Sequence, residues 1–106
     1  MASSKAYLDF ILEQLSQLGD VTYRAMMGEY ILYYHDKAFG GIYDDRFLVK
    51  PVPAAVRLLP DVSWELPYEG AKEMLLVEQL EDPAFLKELI TAMEPELPEP
   101  KKKKRK

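Results

Sequence analysis

His35 is the one histidine in the chain, and no nucleophile with an orienting partner stands near it in the sequence. A lone histidine can act as a general base, but nothing nearby in the sequence gives it a nucleophile to activate. His35, at the end of an aromatic stretch and beside a turn, is therefore read as a structural or surface residue. Asp44-Asp45 suggests a metal or a carboxylate pair, but neighbouring strand residues point to opposite faces and aspartate favours turns. A turn is expected there. Phe39-Gly40-Gly41-Ile42 lacks the spacing and the Lys-Ser/Thr of a phosphate loop, and Glu69-Gly70-Ala71-Lys72 matches no catalytic motif. Cysteine is absent, which excludes disulfides, thiolate chemistry and cysteine-based zinc sites. The expectation is a binding protein with no catalytic residue, no cofactor and no metal. A deep polar pocket around His35 and several carboxylates would revive an enzyme.

Candidate contact residues are easier to find. In Arg24-Ala25-Met26-Met27-Gly28-Glu29-Tyr30 the two methionines are adjacent, so in a strand only one of them fits a one-sided core. The plain reading is a strand entering a bulge at Gly28 with one methionine in the core; the sharper one makes the other methionine an adaptable contact. Tyr23, Tyr30, Tyr33, Tyr34 and Tyr43 exceed what one sheet face needs, and alternation sends Tyr33 and Tyr34 to opposite sides. An outward group of tyrosines suits a dimer or partner interface; scattered, half-exposed tyrosines are the alternative. Arg24, Met27, Tyr30 and Lys50 are the candidate protein contacts.

Charge divides the chain. It holds 14 basic and 18 acidic residues, a net charge of −4, yet Lys101, Lys102, Lys103, Lys104, Arg105 and Lys106 close it with six cations. The remaining hundred residues carry 8 basic and 18 acidic side chains, hence −10. So acidic a body repels polyanions on average. Three readings of the basic end stay open: non-specific contact with nucleic acid or ribosomal RNA, a solubilising end that folds onto the acidic body, or attraction to a membrane surface or an acidic protein.

The elements that must position these residues follow from periodicity. Tyr7, Leu8, Ile11, Leu12, Leu15 and Leu18 recur at helical spacing over residues 4–18, with Ser3 or Ser4 as cap and Gly19 as stop. Four strands are expected over 21–27, 30–35, 38–43 and 46–50, with Asp36-Lys37 and Asp44-Asp45 as turns and Gly40-Gly41 marking a bulge or a weak point. Pro53 opens a short helix that Pro60 closes, 61–71 is irregular or weakly extended, and 74–77 forms another strand. Asp82-Pro83 begins the last helix, and Pro95 ends it. The fold class is α+β: a two-layer, mostly antiparallel sheet flanked by N- and C-terminal helices, in the order α-β-β-β-β-α-β-α. Residues 1–96 form one domain, and 97–106 a proline-rich spacer and disordered basic tail. No run nears the roughly 20 apolar residues that span a bilayer, and a cytoplasmic location with no membrane partner is expected.

Together these stretches resemble the N-terminal domain of the TfoX/Sxy family, regulators of bacterial competence. The likeness rests on Arg24-Ala25-Met26-Met27-Gly28-Glu29-Tyr30, similar to the family's Arg-x-Met-Phe/Met-Gly-x-Tyr signature. Asp44-Asp45-Arg46-Phe47-Leu48-Val49-Lys50 and Pro67-Tyr68-Glu69 support it, over about residues 5–96. The resemblance implies a small α+β fold and a role in transcription or competence regulation through a protein partner; the chain departs from the family's full-length regulators in an expected stand-alone form without their second domain. The alternative reading is a homodimeric, chaperone-like module with no role at a promoter.

Overall fold

The computed structural model describes residues 3–98. Helix α1 (Lys5–Gln14) starts where Ser4 Oγ accepts from the Tyr7 amide, and it buries Leu8 and Ile11 three residues apart. A 3-10 turn (Ser16–Leu18) follows and ends at Gly19, whose φ of 92° favours a residue without Cβ.

Strands β1 (Val21–Met26), β2 (Glu29–Tyr34), β3 (Lys37–Ile42) and β4 (Phe47–Val49) form an antiparallel meander. Each hairpin closes on a pair of residues with positive φ: Met27-Gly28, His35-Asp36 and Asp44-Asp45. This mirror-image turn matches the twist of the strands it joins. The second turn is His35-Asp36, one residue earlier than Asp36-Lys37, because the left-handed pair falls there and releases Lys37 to β3.

Helix α2 (Pro53–Leu58) leads to β5 (Trp64–Glu65), β6 (Met74–Leu76) and α3 (Pro83–Met93). Asp82 caps α3 by accepting from the Phe85 amide at 3.1 Å, and Leu86, Leu89, Ile90 and Met93 line its buried stripe. The sheet order is β1-β2-β3-β4-β6-β5, with every pairing antiparallel. The α+β class and the expected element order are thus observed, with β5 added to them. A final 3-10 turn (Glu94–Glu96) brings Leu97 into the core at 5% exposure. The basic segment Lys101–Lys106 lies outside the described residues.

All three helices cover one face. Leu8, Ile11 and Leu15, then Ala54, Ala55 and Leu59, then the α3 stripe meet Leu32, Tyr34, Phe39, Ile42, Phe47, Val49 and Leu75 of the sheet. An irregularity in β3 makes this possible. Leu32 pairs with Gly40 while the next residue, Tyr33, pairs with Ala38, so Phe39 is the extra residue of a bulge. Strict alternation would send Phe39 and Ile42 to opposite faces, whereas the inserted residue brings both into the core. The other face has no helix. It presents Arg24 and Met26 of β1, Glu29, Ile31 and Tyr33 of β2, Tyr43 after β3, then Leu48, Lys50 and Met74.

Candidate functional site: a cleft on the helix-free face

A cleft of about 620 Å³ opens on the helix-free face. Its floor is sheet: Ile31 and Tyr33 from β2, Ala38 and Gly40 from β3, then Tyr43 and Met74. One wall is Lys50-Pro51-Val52, where two prolines end β4 and turn the chain toward α2. The opposite wall is the segment joining β5 to β6, through Pro67, Tyr68, Ala71, Lys72 and Glu73, and Glu96 and Pro98 close one end.

Arg46 holds that second wall. Its guanidinium donates to Glu65 Oε1 at 2.8 Å, to the Leu66 carbonyl at 3.1 Å, and through Nε to the Tyr43 carbonyl at 3.1 Å. The hydrogen bond from Arg46 keeps the Glu65 carboxyl below the ordinary carboxylate range. Three donors in a rigid fork thus fix the start of β4 to the base of the loop. Arg46→Lys keeps the charge but loses the fork. It is expected to speed amide exchange across residues 66–73 at least about threefold while lowering global stability by about 1 kcal/mol. Hydrogen-exchange mass spectrometry reads both, and unchanged exchange in this loop would remove Arg46 from this role. Because the Glu65 carboxyl is lowered in the fold, the tether is complete above its unfolded value and is lost as pH falls through the folded one.

The cleft is mostly apolar and aromatic. Tyr43 is 7% exposed, and its ring centroid lies 6.2 Å from that of Tyr68, which is 57% exposed at the rim. Burial pushes the Tyr43 phenol up, with Tyr68, Glu29 and Tyr33 adding to the effect. Lys50 stands apart. Its amide donates to the Phe39 carbonyl at 2.9 Å, but its ammonium has no hydrogen bond or ion pair among the described residues. Burial pulls its pKa down. A half-buried cation with no ion pair among the described residues bears a desolvation cost that an added anionic group would offset.

The four residues predicted as contacts are spread out. Arg24 shares the helix-free face with Lys50 but lies on β1, three strands away. Met27 is 96% exposed at the tip of the β1–β2 hairpin, at the opposite end of the strands from Lys50. Tyr30 faces the helices: it packs against the core, and its ring meets that of Tyr23 edge-on at 5.8 Å. Among the tyrosines, Tyr33 and Tyr43 belong to the helix-free face, while Tyr34 is core. Neither methionine of the adjacent pair is buried, since Met26 is 40% exposed.

Two polar groupings serve the fold. His35 stacks on Tyr34 with ring centroids 3.9 Å apart, and its Nδ1 lies 3.4 Å from Glu94, so it joins the β2–β3 turn to the end of α3. Asp44-Asp45 forms the β3–β4 turn, and it is pinned by a set of contacts that sequence reasoning missed. Ser3 Oγ donates to Glu29 Oε1 at 2.6 Å and accepts from the Asp45 amide at 3.0 Å. Glu29 also accepts from the Asp44 amide, and Asp45 from the Ser4 amide. The Ser3 hydroxyl thereby both donates and accepts in fastening the N-terminal segment across two hairpins.

Residues 13–92 match the family described as the TfoX N-terminal domain, a span from within α1 to within α3 that encloses all six strands. A curated relative, the uncharacterized 12.7 kDa protein in the trpE 5′ region of Spirochaeta aurantia, is 32% identical over 108 residues, covering 100% of this chain and 93% of the relative. No solved structure matches. This chain belongs to the TfoX N-terminal domain family.

Proposed function

We propose that this TfoX N-terminal domain protein is a regulatory adaptor without catalytic activity, which works in the cytoplasm by holding a partner protein in the helix-free cleft. The observation that carries this reading is the Lys50 ammonium, partly desolvated and without an ion pair among the described residues, in a cleft that Tyr33, Tyr43 and Tyr68 line. An acidic side chain or a chain terminus with apolar neighbours fits such a cleft, because the cation then gains an ion pair that it lacks among the described residues. The family to which the chain belongs supports a partner within the transcription machinery. The cationic Lys101–Lys106 segment adds sequence-independent attraction to nucleic acid.

Affinity capture on the immobilised full chain tests this, with wild type and Lys50→Glu compared in lysates treated or not treated with nuclease. A protein retained by the wild type after nuclease, and lost on Lys50→Glu at equal thermal stability, supports the adaptor. Identical proteins on both baits would refute the cleft. Partners that vanish with nuclease alone would assign the contact to nucleic acid.

Met27 adds a second, separable contact. Its φ of 53° is a left-handed conformation that Asn, Asp and Gly adopt more readily, and its side chain is almost wholly in solvent. Met27→Asn is therefore expected to raise stability by up to about 1 kcal/mol in urea titrations. If Met27 is a contact, the same variant weakens capture of the partner. A stabilised variant with full capture would leave Met27 outside the interface.

A further inference from the structure

The two edges of the sheet differ. One is β5, only two residues long, while β1 offers six residues, five of them exposed, with no proline and no bulge. Long, flat edges are templates for pairing, and proteins normally blunt them. The free hydrogen-bonding groups of β1 can be assigned. A two-residue turn makes Met26 and Glu29 a hydrogen-bonded pair, and alternation extends this through Arg24 and Thr22 to Asp20, whose carbonyl accepts from the His35 amide at 3.3 Å. The groups of Val21, Tyr23 and Ala25 consequently point outward, toward nothing among the described strands.

A groove of about 370 Å³ lies along the same edge on the helix side. It is lined by Leu12, Leu15, Ser16 and Gly19 from α1 and its exit, and by Val21, Thr22 and Tyr23 from β1. Tyr23 itself is 43% exposed beside it.

We propose that β1 pairs antiparallel with β1 of a second copy of this chain, joining two sheets into one across a two-fold axis. An axis normal to the sheet keeps the helices of both copies on the same side, so helix-facing residues must oppose helix-facing residues. Three registers near the strand centre satisfy this. The one centred on Arg24 sets two guanidiniums face to face and is repulsive. The one centred on Tyr23 sets Asp20 against Met26. Centring on Thr22 places Asp20 opposite Arg24 of the second copy twice over, and Val21 opposite Tyr23 of the second copy. Each Tyr23 then enters the other copy's groove beside Leu12 and Val21. Charge complementarity and the reciprocal fit of aromatic and groove select this register. The pairing leaves both helix-free clefts open on one side of the joined sheet, so it is independent of the adaptor reading.

The absence of native cysteine makes the test direct. Thr22 meets its own counterpart at a non-hydrogen-bonded position, where Cα atoms are about 4.5 Å apart, within disulfide reach. Thr22→Cys in the full chain is expected to form a covalent dimer on mild oxidation, and Arg24→Cys is expected to lag at least about tenfold, its counterpart being four residues out of register. Equal rates, or a monomeric Thr22→Cys, would overturn the proposal. Sedimentation of the wild type at about 0.1 mM should show a dimer that Arg24→Asp weakens at least about tenfold and that Asp20→Arg with Arg24→Asp restores. A monomer throughout, or a dimer indifferent to Arg24→Asp, would overturn it as well.

Discussion

Gly40→Ala is expected to lower folding stability by about 3 kcal/mol or more, a large share of the 5–15 kcal/mol of a typical domain. A Cβ at Gly40 would overlap the Leu48 carbonyl oxygen and lie 2.8 Å from Val49 Cα. Both are backbone atoms of β4, bound into the ladder through the Gly40–Val49 and Gly41–Leu48 pairs, so neither can swing aside as a side chain would. Relief requires either parting β3 from β4 or undoing the bulge. Undoing the bulge would return Phe39 to the other face, and Phe39 is wholly buried against Phe47. Gly70→Ala is the control. It has open space around the new Cβ but a φ of 90°, so it should cost only about 1 kcal/mol. Urea unfolding of the two variants separates these cases. A Gly40→Ala loss below that of Gly70→Ala would show that β4 yields at the bulge.

That bulge also shows where sequence reading ends. The pair Gly40-Gly41 marks an irregularity in β3, but which residue is inserted depends on the partner strands. Helices α1 and α3 and the four-strand meander are legible because their apolar spacing and turn residues are local. Strand β5 is not: two residues in a stretch with Pro60 and Pro67 carry no alternation, and only pairing with β6 makes them strand. The site behaves in the same way. Lys50 stands out in sequence as a cation closing an apolar strand. The second wall of its cleft comes from Pro67, Tyr68 and Ala71, whose approach depends on the Arg46 fork, nineteen residues from Glu65 in sequence. The fastening of Ser3 to Glu29 and Asp45 spans 26 and 42 residues and leaves no periodic trace. Tyr30 shows the converse, because its signature position invites a contact role while the parity of β2 turns it to the helices.

Lys50→Met should raise folding stability while weakening partner binding about ten- to a hundredfold, the worth of one charge-assisted hydrogen bond. Methionine keeps an apolar stem in the cleft and removes only the desolvated charge, so the stability gain is at most about 1 kcal/mol. The pH dependence supplies the sign. Burial lowers the Lys50 pKa in the fold, so between the folded value and the ordinary lysine range the unfolded chain binds more protons. Stability from this group therefore rises with pH across that window. Tyr7 and Tyr43 act in the opposite sense. Both phenols are raised chiefly by burial, so their contribution is complete below the ordinary tyrosine value and is lost as pH climbs toward the folded one. Subtracting the Lys50→Met profile from the wild-type profile cancels the tyrosines and isolates the lysine. The advantage of Lys50→Met should be largest near neutrality and vanish at high pH. A stabilised variant that binds the captured partner as the wild type does would show that the buried cation is not the recognition element. A destabilised variant would mean that a counter-charge beyond the described residues holds Lys50, and the reading of the cleft as an anion site would fall.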